Sequence, residues 1–159
     1  MDVKGRCLSA ETLLLLGLCL PVAAAAGEWF RDPDTGCAVW GEQPQPLVTV
    51  HWSGDCVDGK ASGKGLMEVI IDGIPFSQYE GEYRAGKAEG YGILISPDQS
   101  RYEGEFRDNI MHGRGVLISS DGQRLEGTFY KGLPHGKMIL TRPDSTSREL
   151  EFEYGRRTR

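Results

Sequence analysis

Three histidines, four cysteines and a few carboxylate- or glycine-rich stretches are where this chain offers chemistry. His112 and His135 stand 23 residues apart, and Glu89 stands 23 residues before His112. Imidazole and carboxylate groups ligate zinc, which takes three or four ligands about 2.1 Å away. Neighbouring copies of a repeated hairpin would hold these side chains two strands apart, too far for a close site without further ligands. The third histidine, His51, has no partner in the pattern. "DGKASGKG" (residues 58–65) has the outline of a phosphate loop, which needs glycine first and Ser or Thr after the lysine. This chain has Asp58 and Gly65 there. "DPDTG" (residues 32–36) opens like a calcium loop, whose twelfth position calls for a bidentate glutamate and here is Gln43. Ser62 lacks the elbow of a nucleophilic serine. Glu80 and Glu82 make a carboxylate pair, but the pair recurs at Glu103 and Glu105, as a solvated strand face does. These residues predict no catalytic site, no metal centre and no cofactor.

What positions them is a repeat. "YEGEYRAGKAEGYG" from Tyr79 returns as "YEGEFRDNIMHGRG" from Tyr102, and 12 of 23 positions match without a gap. A third copy, residues 125–147, keeps Glu126, Gly127, Phe129, His135 and Gly136 but departs at Leu125, Thr128 and Met138. Fixed short periods signal stacked units that bury their faces against one another. Within a copy, "YEGEY" alternates as a strand does, sending Tyr79, Gly81 and Tyr83 to one face and Glu80 and Glu82 to the other. Gly86 supplies a left-handed turn position shared by Gly59 and Gly132. Asn109 is its one exception, the residue that best tolerates that conformation after glycine. "EGYGILI" then reads as a second strand and "SPDQS" as the closing turn. Each copy is a β-hairpin.

Glycine columns run in phase with the aromatics: Gly81, Gly104 and Gly127; Gly90, Gly113 and Gly136; Gly92 and Gly115. Glycine weakens a strand unless something packs closely there, so these positions predict grooves in which rings of the Tyr79/Tyr102 and Tyr83/Phe106/Phe129 columns lie flat. The period also extends upstream to a divergent copy, residues 52–78, containing Trp52, Gly54, Cys56 and Gly59. Four extra residues there predict an enlarged turn around "IDGIPFS". "RELEFEY" predicts one last capping strand before a basic tail with Arg156, Arg157 and Arg159, within residues 148–159.

Upstream of the array, a basic start, a short apolar run and small residues mark residues 1–26 as a secretory signal peptide. The run is shorter than the ~20 residues of a membrane-spanning helix. Residues 27–51 form an N-terminal cap segment. The predicted localisation is exported, periplasmic or secreted. Cys7 and Cys19 leave with the signal, and Cys37 and Cys56 remain as an even pair for which a disulfide is the default. Cys56 falls in the Tyr83 column, so the bridge is expected to face the packed groove and pin the cap over the first hairpin, with Trp40 helping to cover it. A net charge of −5 argues against nucleic acid, which demands a basic footprint.

The "YEGE(Y/F)…G…GxG" pattern on this period closely resembles the MORN repeat, over roughly residues 52–140, and "GCAVW…TVHWSGDC" looks like exported bacterial members of that group. The resemblance implies an all-β, elongated single-layer antiparallel sheet of stacked hairpins. It also implies a scaffold, a dimerisation surface such as a homodimer, a lipid-contacting module or an appendage of an enzyme. A non-catalytic protein-binding or scaffolding module of the cell envelope, with an unidentified protein partner, fits best. The expected binding surface is Trp52, Tyr79, Tyr83, Tyr91, Tyr102, Phe106 and Phe129. Peripheral lipid contact is the alternative, opposed by the acidic balance and the ladder Glu80, Glu103, Glu126.

Overall fold

The computed structural model describes residues 27–41 and 47–158. The signal-peptide expectation for residues 1–26, Gln43 of the calcium-loop comparison and Arg159 lie outside these. Among the described residues there is no helix, and thirteen strands join in one sheet. They are β1 (Glu28–Arg31), β2 (Ala38–Gly41), β3 (Val48–Trp52), β4 (Asp55–Val57), β5 (Lys60–Ile71), β6 (Ile74–Arg84) and β7 (Lys87–Ile95). Then follow β8 (Arg101–Arg107), β9 (Ile110–Ile118), β10 (Arg124–Tyr130), β11 (Leu133–Thr141), β12 (Ser147–Glu153) and β13 (Arg156–Arg157). From β5 to β13 each strand pairs antiparallel with the next, and β3 and β4 both pair antiparallel with β5 as one interrupted edge strand.

The predicted hairpins are therefore present, and their turns explain the turn column. Asp58–Gly59, Ala85–Gly86, Asp108–Asn109, Lys131–Gly132 and Tyr154–Gly155 are two-residue turns with both residues at positive φ. This turn matches the twist of the flanking strands but demands left-handed backbone, which glycine or asparagine supplies in second place. Successive turns are tied together. The N–H of Gly86 donates to Ala61 O (2.9 Å), Asn109 to Ala88 O (3.0 Å), Gly132 to Met111 O (2.9 Å) and Gly155 to Pro134 O (2.9 Å).

Two expectations are corrected here. The stretch around "IDGIPFS" is not an enlarged turn: Asp72–Gly73 is again a two-residue positive-φ turn, and the extra residues lengthen β5 and β6 instead. The end of the chain is not a single capping strand either, because Tyr154–Gly155 turns the backbone and β13 pairs back onto β12. The turn glycine recurs there on the same period, so the tail begins another hairpin.

The glycine columns divide into two kinds. Between the pairs Gly81↔Gly92 and Tyr83↔Ala88, β7 carries three residues against one on β6. Gly90 lies in that bulge at φ +73°, as do Gly113 at +61° and Gly136 at +75°. This column is set by backbone conformation, whereas the other two are set by space.

Candidate functional site

Each clean copy buries its tyrosine against its own glycines. The Tyr79 hydroxyl lies 2.5 Å from where a Cβ at Gly81 would stand, and the same ring covers Gly92 across the strand pair. Tyr102 covers Gly104 and Gly115, and Trp52 covers Gly54 and Gly65. The three polar ring atoms then repeat one hydrogen bond. Trp52 Nε1 donates to Asp55 O (2.9 Å), Tyr79 Oη to Glu82 O (3.3 Å) and Tyr102 Oη to Glu105 O (3.2 Å). Between them stand the rings of the second aromatic column. Centroid distances run 4.7 Å for Trp52–Tyr83, 5.4 Å for Tyr83–Tyr79, 4.9 Å for Tyr79–Phe106, 5.2 Å for Phe106–Tyr102 and 5.0 Å for Tyr102–Phe129. The last four are edge-to-face, the arrangement that aromatic quadrupoles favour. Burial pushes the Tyr79 hydroxyl up to about 12, with the Glu82 charge adding to it, and burial raises Tyr83 and Tyr102 in the same way. In the third copy Leu125 replaces the tyrosine, and fully buried Met138 lays its sulfur over Gly127. The departure noted at those positions is a compensated pair.

This geometry overturns most of the expected binding surface. Trp52, Tyr79, Tyr83, Tyr102, Phe106 and Phe129 are each no more than 6% exposed, so they are core and offer nothing to a partner. Only Tyr91 remains outside, 56% exposed, its hydroxyl donating to Glu103 Oε1 at 2.7 Å.

The cap is in place but differs in detail. Cys37 and Cys56 are bonded, with Cα atoms 5.8 Å apart. Cys37 is fully buried, whereas Cys56 is exposed on β4, so the bridge does not fill the ring groove as expected. The groove position is covered from the other side: Phe30, Val39 and Trp40 of the β1–β2 hairpin line an apolar cavity of about 210 Å3 with Val50, Met67 and Tyr83. Asp32 belongs to this cap rather than to a cation site. Asp34 and Thr35 N–H groups donate to its Oδ1 (2.8 and 3.1 Å), and the Trp52 N–H to its Oδ2 (2.7 Å). Burial pushes this carboxyl up, but the three N–H donors outweigh that and leave it below its ordinary value. Asp34 and His51 stand close by, with His51 Nδ1 3.6 Å from Asp34 Oδ2. Both Asp32 oxygens are already engaged in holding the cap. His112 and His135 do not face each other, because Tyr130 stands between them at centroid distances of 5.5 and 6.0 Å.

On the opposite, outward face the strand register extends the expected ladder of Glu80, Glu103 and Glu126 into a row with aliphatic residues between the acids. It runs Leu66, Glu80, Ile93, Glu103, Val116, Glu126, Ile139, Glu149, each paired with the next across adjacent strands. The signal was there in the aliphatic residue that follows "GxG". Neighbouring cations bind most of the acids: Arg101–Glu103 at 3.0 Å, Arg124–Glu126 at 2.7 Å and Lys137–Glu149 at 3.1 Å. The row floors an open groove of about 560 Å3 from Tyr91 to Glu149, with a second hollow of about 500 Å3 on the other side of Tyr91.

A fold of stacked glycine-aromatic hairpins in one sheet defines a repeat protein. The MORN repeat family model matches residues 79–101, 102–124 and 126–147, and the chain is a MORN-repeat protein. The third match opens at Glu126, just past the leucine that replaces the tyrosine. MORN repeats are associated in general with membrane- and protein-binding modules. No curated protein matches the chain by sequence.

Proposed function

We propose that this chain is a non-catalytic protein-binding or scaffolding module of the cell envelope, and that the outward groove is its seat. The observation that carries the reading is the register of that face. Aliphatic and acidic side chains alternate strand by strand across eight positions, with Tyr91 beside them. From a strand spacing near 4.8 Å, the acids recur about every 10 Å. Such a row offers apolar contact and fixed charge together, as the core and rim of a protein interface do. The Cys37–Cys56 bridge is consistent with export to an oxidising compartment. The acidic row faces outward, which opposes adsorption to an anionic lipid surface.

Affinity capture from the protein's own envelope fraction tests this, comparing wild type with a Glu103→Lys/Glu126→Lys variant. A specific protein recovered with wild type and lost with the folded variant is the expected result. Recovery of the same protein by both would remove the groove from the account. Recovery of lipid alone would favour peripheral membrane contact.

A further inference from the structure

Beside the acid-aliphatic row of the outward face the register aligns a second row, two residues away along each strand. Across β7–β10 it runs Ile95, Arg101, Ile118, Arg124, against Ile93, Glu103, Val116, Glu126 in the first. Aliphatic stands beside aliphatic on β7 and β9, and cation beside acid on β8 and β10. Arg101 and Glu103 are 3.0 Å apart, and Arg124 and Glu126 2.7 Å. Between the rows lies a line of paired residues, Leu94, Tyr102, Leu117 and Leu125, whose side chains pack on the inner face. The β1–β2 cap belongs to that inner face, and among the described residues no strand packs over the two outward rows.

A half-turn about the line between the rows carries each row onto the other. A second copy laid over this face by such an axis sets every strand on its own counterpart. Glu103 then faces Arg101 of the second copy, Glu126 its Arg124, Ile93 its Ile95 and Val116 its Ile118. Each contact is made twice, as a two-fold interface requires. Each intrachain ion pair becomes a cluster in which two acids and two cations alternate. An axis along the strands gives no such match, because it sets acids on acids or acids on aliphatic residues, and like charges opposed cost affinity. The spacing agrees as well: charged strands recur every second strand, about 10 Å, and an identical array repeats that period by construction. Twisted sheets do stack face to face with their strands nearly aligned.

We propose that the outward face pairs with a second copy of this chain through β7–β10, about a two-fold axis running along the array. The occupant follows from the charge match and the shared period. The proposal rests on the reading of this face as a binding surface and names its partner. Tyr91, one row further out, stays at the rim.

Sedimentation equilibrium of the disulfide-intact protein over a range of concentrations tests this. Wild type is expected to reach a dimer. Glu103→Lys/Glu126→Lys sets cations against Arg101 and Arg124, and Arg101→Glu/Arg124→Glu sets acids against Glu103 and Glu126. Each variant alone should weaken the dimer at least about tenfold. An equimolar mixture of the two should form a heterodimer, because every opposed pair again carries opposite charge. Exposed ion pairs contribute little to folding, so circular dichroism of each variant should match wild type. A wild type still monomeric at about 1 mM, a dimer that neither variant weakens, or folded variants whose mixture stays monomeric would overturn the proposal. Capture of a different protein, lost with Glu103→Lys/Glu126→Lys, would still uphold the broader reading in each of those cases, so the two fail separately.

Discussion

Gly104 shows how a single atom's absence is used. A Cβ there would meet Gly115 Cα at 2.5 Å, Arg114 O at 2.6 Å and the Tyr102 hydroxyl at 2.6 Å. Two of those contacts are backbone and cannot move aside, so Gly104→Val should cost roughly 1–3 kcal/mol. Urea denaturation measures it; a variant as stable as wild type would mean that the ring does not need that space. Tyrosine protonation gives a second handle. Tyr79 holds its proton more tightly folded than unfolded, about 12 against an ordinary 10.0. Its contribution is therefore intact below pH 10 and is lost as pH rises from 10 towards 12. Tyr79→Phe should reduce that alkaline loss of stability, leaving the part that Tyr83 and Tyr102 contribute, and an unchanged slope would place the ring in water. The pairing of glycine with ring columns was legible in the sequence from phase alone. That six of seven aromatics are interior was not, because alternation assigns residues to a face without saying which face is covered. Leu125 and Met138 show the same limit: each reads as a departure until the fold brings sulfur and glycine together.

Within the hairpins, backbone conformation dictates what the sequence spells. The turn column was legible because positive φ restricts it to glycine and its nearest substitute. Asn109 was legible as that substitute, at φ +69°, but its second role was not. Its Oδ1 accepts from Ala88 N–H at 2.6 Å while its amide reaches Trp40 O, 69 residues away in sequence. No local pattern announces such a contact. Asn109→Ala should cost about 2 kcal/mol by removing both bonds and straining the turn. Asn109→Gly should fall between it and wild type, since glycine restores the turn alone. If thermal denaturation finds the glycine variant as stable as wild type, the bridge to the cap contributes nothing. The lengthened β5 and β6 were misread as a large turn for a related reason. Extra residues can extend strands or enlarge their connection, and Asp72–Gly73, the residue pair that makes the tight turn, decides between them.

At the scale of the whole molecule, the array is a sheet with an inside and an outside. Rings on glycine make the inner face a core, the β1–β2 hairpin covers its first part, and the outward face keeps the alternating acid-aliphatic row. The sheet and its period were evident from self-similarity. The cap's position was only half evident: the Cys37–Cys56 pairing could be reasoned from compartment and column. The burial of Cys37 with exposure of Cys56 depends on where β2 crosses the turns. The central claim is that the aromatic ladder is interior in the native protein and out of reach from outside. Tyrosine nitration of the native protein with peptide mass spectrometry tests it most directly. Tyr91, Tyr130 and Tyr154 should be modified, being 56%, 37% and 58% exposed, while Tyr79, Tyr83 and Tyr102 should stay protected until the chain is unfolded. Modification of Tyr79 or Tyr102 in the native protein at a rate comparable to Tyr91 would open the inner face to solvent and contradict the account.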